Sequence, residues 1–455
     1  MTRQIVVPFE GEGSGVGELT WGQQDMWLGM RRQRSSFPIG GWLPLPRGTT
    51  ADDVAADLRF VMSRHQSLRT RFPFGPDGCL QQVAARSGEA LLEVADAGDA
   101  EPAELAAALH RRYDERIFDY AGEWPIRWAV VVSRGAATHL VSVICHLAAD
   151  GMGVLAMLDD LASRDPVTGL ARGPAREMQP LDLARRQRGP AALRQSQAGL
   201  RHWERLLRVI PARRFADSAD QRQPRYWQAF YDSPASYLAF QVIAARTGVN
   251  TATVLLAAWA VALARVTGSN PVAFQVMADN RFRPGFAGMV SPLCHGGLCV
   301  IDVADIAVDE AVARAWRSAM SAYKYAYYDP LQLAELVTRV SQQRGEEIDI
   351  NCSVNDRRMQ SRQEPGGRPP EPGQVRAALP RSALSWGYKQ DHPGENCFLH
   401  INNVPDTVRY ELGADTRYVS PADMEACLRG IEAVAVEAAL NPAARTGVRS
   451  ALVRR

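Results

Sequence analysis

Within residues 51–62 the apolar positions Val54, Leu58, Val61 and Met62 recur at helical spacing, and Asp52 and Asp53 fall in the first turn, where the helix dipole favours acid. The same spacing returns after Gly151 at Val154, Leu155, Met157, Leu158 and Leu161, with Asp159 and Asp160 mostly on the opposite side. Between these helices the pattern changes. Residues 126–132 and 138–145 are β-branched and apolar runs joined by Ser133-Arg134-Gly135-Ala136, which predicts an antiparallel hairpin whose second strand ends at His146. The local plan around residue 146 is therefore strand, sharp turn, helix. Further helices are predicted at 22–31, 195–207 and 251–266, the last with Asn250 or Thr251 as N-cap and Gly268 beyond its end. Beyond it, strands at 271–277, 298–303, 348–354, 398–402 and 407–412 alternate with helices at 308–321, 331–340 and 421–439. This alternation predicts a mixed α and β second half.

A chain of 455 residues is too long for one ordinary core, so two lobes are expected. Residues 1–18 are glycine-rich and read as a flexible N-terminus, 19–175 as an N-terminal lobe, 176–235 as an inter-lobe connection and 236–455 as a C-terminal lobe. The proline- and glycine-rich stretch 363–380 reads as a mobile loop. Lys plus Arg number 52 against 50 Asp plus Glu, without runs of like charge, which argues against nucleic acid as a partner. Residues 1–10 lack the order of a signal peptide, and no apolar run approaches the roughly 20 residues that span a bilayer, so a cytoplasmic protein without a membrane partner is expected. The seven cysteines are scattered and form no C-x-x-C pair. Neither a disulfide framework nor a metal site is expected, although Cys294 and Cys299 flank His295.

The segment that carries chemistry is Cys145-His146-Leu147-Ala148-Ala149-Asp150-Gly151. Histidine is suited to taking a proton near neutral pH, and a strand end holds it firmly. Asp150 is placed to orient the turn through a cationic partner, and Gly151 to allow a backbone angle or close approach that other residues resist. Read alone, the segment is equally compatible with a strand-end histidine satisfied by hydrogen bonds.

The segment resembles the His-His-x-x-x-Asp-Gly motif of nonribosomal peptide synthetase condensation domains, members of the chloramphenicol acetyltransferase-like superfamily. Further stretches resemble that family in the order it requires: Leu19-Thr20-Trp21-Gly22-Gln23-Gln24-Asp25-Met26-Trp27-Leu28, then Arg64-His65-Gln66-Ser67-Leu68-Arg69-Thr70-Arg71-Phe72, then Thr253-Val254-Leu255-Leu256-Ala257-Ala258-Trp259, then Asn280-Arg281 with Gly288-Met289-Val290. The resemblance covers roughly residues 19–439. Cys145 stands where the family has the first histidine, and Asn280 where it has a glycine. Trp21, Gln24, Trp27, His65 and Trp259 are read as packing residues.

The resemblance implies an α/β (α+β) fold of two chloramphenicol acetyltransferase-like lobes in a V-shaped arrangement, with the active site in a tunnel at the seam. It implies His146 as general base or acceptor-orienting group, and Asp150 as one half of a structural ion pair with Arg281, Arg69 being the reserve partner. Cys145 supports the motif, while His295, Ser385 and Trp386 are candidates to line the tunnel. The implied reaction transfers an acyl group from the phosphopantetheine thioester of a separate carrier protein to an amine or hydroxyl acceptor, with no cofactor bound by this chain. Coenzyme A as donor, an epimerising relative, and a non-catalytic recruitment module are the competing expectations.

Overall fold

The computed structural model describes residues 2–165, 168–169, 173, 178–216, 218–358, 368–391, 394 and 396–450. The chain divides into two units, Met1–Arg194 with Asp279–Cys294, and Gln195–Ala278 with His295–Arg455.

The first unit is organised by side-chain alternation in a five-stranded sheet. Its strands are β1 (Thr2–Glu10), β3 (Ile39–Pro44), β6 (Ser87–Asp96), β7 (Ile126–Ser133) and β8 (Ala136–Ile144), in the order β1-β6-β7-β8-β3. β2 (Gly15–Glu18), β4 (Thr70–Arg71) and β5 (Gln81–Ala84) form a small separate sheet. Along β7, Trp128 and Val130 enter one apolar cluster, while Ala129 and Val131 enter another on the opposite face. Such two-sided burial requires a continuously apolar strand, which is why residues 126–132 carry no polar alternation apart from Arg127. One face is covered by α2 (Ala51–Arg64) and α4 (Gly151–Ala162), the other by α1 (Trp21–Gln33) and α3 (Pro102–Glu115). The β7–β8 hairpin closes through Arg134 and Gly135, both with positive φ (52° and 82°), as a two-residue turn on right-twisted strands requires.

Residues 1–18, expected to be flexible, instead contribute two strands. β1 pairs antiparallel with β6 along its whole length and buries Val7 and Phe9. Its outward Val6 and its Pro8 are tolerated because β1 lies at the sheet edge.

The second unit is built around α8 (Thr251–Thr267), in which every residue from Thr253 to Ala264 is buried. A helix apolar on all sides must be surrounded, and here α7 (Pro234–Thr247), α9 (Val308–Tyr325) and α12 (Pro421–Leu440) share its apolar core. Asn250 caps α8 by accepting from the amide of Thr253 at 2.9 Å, and Gly268 ends it at φ 69°. Among the described residues no single helix is long and apolar enough to cross a membrane.

A seven-stranded sheet completes the unit: β9 (Tyr226–Ser233), β10 (Val272–Asp279), β11 (Cys294–Ile301), β12 (Cys352–Asp356), β13 (Ala383–Gln390), β14 (Cys397–Asn402) and β15 (Val408–Asp415). Their order is β11-β10-β12-β14-β15-β9-β13, with β10, β12 and β14 parallel and the strands from β14 to β13 antiparallel.

The expected inter-lobe connection, 176–235, is largely regular structure. α5 (Pro180–Gln187) belongs to the first unit, the boundary falls within α6 (Pro190–Leu207), and β9 lies in the second unit. The division between units falls at Arg194, and residues 279–294, expected in the C-terminal lobe, cluster with the first unit. Of the expected loop 363–380, residues 363–367 lie outside the described residues, and Pro372–Ala378 form helix α11 with Val375 and Ala378 buried. α10 (Pro330–Arg344) lies in the second unit.

Candidate active site

β8 ends at Ile144, and the chain turns through His146, Leu147 and Ala148 before α4 starts at Gly151. Leu147, Ala148 and Ala149 are fully buried, so apolar packing fixes the backbone of the turn while His146 stays half-buried. The Nδ1 of His146 lies 2.8 Å from the carbonyl oxygen of Ala149. A carbonyl can only accept, so Nδ1 carries the proton and Nε2 is the basic nitrogen. The turn sets the tautomer as well as the ring position.

Cys145 precedes this histidine but faces the core. It is 1% exposed, its Sγ lies 3.9 Å from the carbonyl of Ser36, and burial pushes its thiol up to about 12. The thiol therefore stays protonated and is no nucleophile. Ser36 also accepts from the His146 amide at 3.4 Å, so one loop carbonyl holds both residues.

Asp150 is the N-cap of α4 and accepts from the amides of Gly153 (2.7 Å) and Leu293 (2.8 Å). Arg281 donates Nη2 to Oδ1 at 2.7 Å and Nη1 to Oδ2 at 2.9 Å, a two-pronged pair within the first unit. Arg281 also reaches Asp279 Oδ1 (3.0 Å) and the carbonyls of Met289 (2.9 Å) and Ser291 (3.0 Å). Burial alone would raise the Asp150 carboxyl, but the Arg281 charge and the hydrogen bonds from Arg281, Leu293 and Gly153 more than offset it and hold the carboxyl below its ordinary value.

Arg69, the reserve partner, forms no ion pair with a carboxylate among the described residues. Its buried guanidinium donates to the carbonyls of Glu12, Gly13 and Ala85, and so fixes the segment between β1 and β2. Asn280 turns its fully buried side chain to structural use, donating Nδ2 to the Leu293 carbonyl at 2.9 Å and accepting from Arg283 Nε at 2.9 Å. His295 lies in the second unit, 1% exposed, with its ring edge-on to Tyr328 at 5.3 Å. Ser385 and Trp386 sit on edge strand β13, and Trp386 packs edge-to-face on Trp227 at 5.4 Å.

Two positioning features were not legible in the sequence. Gln23 is completely buried, accepts from the amide of Thr20 (2.9 Å), and donates Nε2 to Gln82 Oε1 (3.1 Å) and to the Leu147 carbonyl (3.2 Å). It thus ties the start of α1 to the turn that carries His146. The second feature is the identity of the critical glycine. Gly151 has no positive φ, and a Cβ there would meet nothing within 4 Å. At Gly153 a Cβ would lie 3.2 Å from Arg281 Nη2 and Asp150 Oδ1, and at Gly22 it would lie 2.0 Å from the Pro292 carbonyl. The backbone requirement expected of Gly151 therefore rests on Gly153 and Gly22. Gly151→Ala is expected to keep stability within about 0.5 kcal/mol of the parent. Gly22→Ala is expected to lose about 1–3 kcal/mol through overpacking. Denaturant unfolding of the two variants measures both values, and equal losses would contradict this assignment.

The sequence of residues 18–364 matches the family model described as Condensation domain. The chain belongs to the condensation-domain family. As a condensation domain it is 26% identical over 363 residues to the AMB antimetabolite synthetase AmbB of Pseudomonas aeruginosa, covering 76% of this chain and 28% of that protein. It is 28% identical over 299 residues to the isonitrile lipopeptide synthase of Mycobacterium tuberculosis, covering 60% of this chain and 11% of that protein. The chain thus spans less than a third of the length of either relative.

Among solved structures, the condensation domain resembles the one described for condensation domain-mediated chain release from the enacyloxin polyketide synthase. That match has a TM-score of 0.72 and 21% identity, and covers 98% of this chain and 85% of the other. It also resembles SgcC5 from Streptomyces globisporus (TM-score 0.71, 17% identity, 94% and 100% covered) and the X-domain from teicoplanin biosynthesis (TM-score 0.70, 19% identity, 97% and 99% covered). At these identities the likeness is one of fold, and it bears out the expected mixed α/β, chloramphenicol acetyltransferase-like class. Membership places the condensation domain in the setting of nonribosomal peptide and related natural-product synthesis, where the family acts with carrier proteins and acceptor substrates.

Proposed function

We propose that this chain transfers an acyl group from the phosphopantetheine thioester of a carrier protein to an amine or hydroxyl acceptor, with His146 as the base. The observation that carries this reading is the 2.8 Å contact from His146 Nδ1 to the Ala149 carbonyl, which assigns the lone pair to Nε2. In the proposed reaction the acceptor nitrogen or oxygen bonds to the thioester carbon and its proton passes to Nε2. The C–S bond then breaks, and the departing thiolate takes that proton from the imidazolium. Atoms and charge balance without a cofactor held by this chain. Proximity of the two substrates supplies the larger share of the acceleration in such a transfer, and the positioned base adds to it.

The Cys145 departure does not weaken this reading, because its side chain belongs to the core. The proposed role of Asp150, Arg281 and Gly153 is to hold the turn, and Gly151 leaves open space beside it. The test follows intact masses of acyl-loaded carrier proteins with pooled amine and alcohol acceptors, alongside matched acyl-coenzyme A donors and a His146→Ala control. Loss of acyl mass and a matching product from carrier-bound donors alone, dependent on His146, is the expected result. Transfer from coenzyme A alone would replace the carrier with a diffusible donor. Binding of a partner protein with no transfer from either donor would replace the enzyme with a recruitment module.

A further inference from the structure

The Leu147–Ala148 peptide lies midway between His146 and the Ala149 carbonyl that sets its tautomer, and it is held at both ends. Its N–H, on Ala148, donates to the Cys145 carbonyl at 2.9 Å. Its carbonyl, on Leu147, accepts from Gln23 Nε2 at 3.2 Å. The first bond is internal to the turn. The second comes from the first turn of α1, 124 residues earlier in the chain.

The Gln23 amide can point one way. Its Oε1 faces the Thr20 N–H (2.9 Å), a donor, and its Nε2 faces the Leu147 carbonyl, an acceptor, so turning the amide over would set like against like at both ends. The second N–H of Nε2 goes to Gln82 Oε1 at 3.1 Å, and Gln82 is oriented in turn by donating to the Glu18 carbonyl at 2.8 Å. Both glutamines are completely buried, and all these groups belong to the first unit. The base of the side chain is anchored too: the Thr20 hydroxyl accepts from the Gln23 amide at 3.2 Å, and Gln187 of α5 accepts from the Trp21 amide at 2.9 Å. Capping α1 engages the Oε1 of Gln23 alone, and a glutamate would serve that purpose equally. A glutamate carboxylate would, however, present an acceptor to the Leu147 carbonyl and to Gln82 Oε1. It is the contact with the His146 turn that calls for a primary amide.

We propose that Gln23 is a positioning residue for His146: by holding the Leu147–Ala148 peptide it aims the Ala149 carbonyl at Nδ1, and so keeps the proton on Nδ1 and the lone pair on Nε2. Its effect on turnover rests on the acyl-transfer reading. Its effect on the ring rests on the geometry of the turn.

The test uses the full chain labelled with 15N in its histidine rings, His146 being assigned by the loss of its signals in His146→Ala. At a pH where the ring is neutral, the parent is expected to show a protonated Nδ1 and an unprotonated Nε2. Gln23→Met, matched in length and unable to donate, is expected to draw the two resonances together as the tautomers mix. Gln23→Asn, a methylene too short to reach Leu147, is expected to do the same and serves if Gln23→Met does not fold. Gln82→Met removes the neighbouring amide but not the Leu147 bond, and is expected to keep the parental pattern. In acyl transfer, Gln23→Met is expected to lower kcat roughly ten- to hundredfold with KM within about threefold of the parent. In a chain that already carries His146→Ala it should lower kcat no further, because its effect passes through that ring. Parental ring resonances in the Gln23 variant, an equal shift in Gln82→Met, or an undiminished loss on top of His146→Ala overturns the assignment. The ring spectrum needs no turnover, so an inactive parent with the expected shifts removes the acyl-transfer reading and leaves the positioning role standing. An active parent whose ring ignores the Gln23 substitution does the reverse.

Discussion

Asp150→Asn is expected to destabilise the first unit by about 3 kcal/mol while leaving the chemistry of any molecules that fold largely intact. The size follows from what the substitution leaves behind. Breaking a buried pair from one side strands the other charge and costs roughly 3–5 kcal/mol. The lower end applies because Arg281 keeps Asp279 and the carbonyls of Met289 and Ser291. Arg281→Met should cost more, since Asp150 would then be a buried carboxylate without its cation, left with the Leu293 and Gly153 amides and the Cys294 thiol. The double variant should lose less than the sum of the two, because each single change removes the same pair. The pH dependence has a definite sign. Asp150 is held below its ordinary value in the folded chain, so its contribution is complete above the unfolded carboxyl range and is lost as pH falls through the folded value. The Asn variant should therefore be less stable at neutral pH and show a shallower loss into acid. Urea unfolding of the four proteins at neutral and acid pH measures both effects. A soluble Asp150→Asn protein with the parental unfolding midpoint and no activity would instead place Asp150 in the chemistry.

What could be read from the chain in advance was whatever depends on neighbours in sequence. The strand, turn and helix around His146 occupy one contiguous stretch whose apolar period changes from two to helical, and the structure follows it. Helix α8, with its cap and terminal glycine, was legible for the same reason. What was missed depends on residues distant in the chain. Which of Gly151 and Gly153 is crowded is decided by Arg281 and Ser291, and these are far downstream. Gln23 looks like any polar helix residue until its partners Gln82 and Leu147 are known. Strands β1 and β13 are both sheet edges, where outward residues such as Val6 and Trp386 blur the alternation.

His146→Ala is expected to lower kcat by roughly a hundred- to ten-thousandfold, the range of a positioned general base, with an unchanged unfolding midpoint. The stability expectation follows from the site: the half-buried ring contacts the Ala149 carbonyl within its own turn, while Leu147, Ala148 and Ala149 carry the packing. His146→Gln separates the two roles a histidine here could play. A glutamine can hydrogen-bond to an acceptor amine and so orient it, but it cannot accept a proton that must then be delivered to the thiolate. If proton transfer is the role, Gln should be nearly as slow as Ala, and the residual rate should rise with a more acidic acceptor amine, which sheds its proton without help. If orientation is the role, Gln should restore most of kcat. Steady-state kinetics with a series of substituted amines distinguishes these, and a Gln variant within tenfold of the parent would remove the base assignment while keeping His146 in contact with the acceptor.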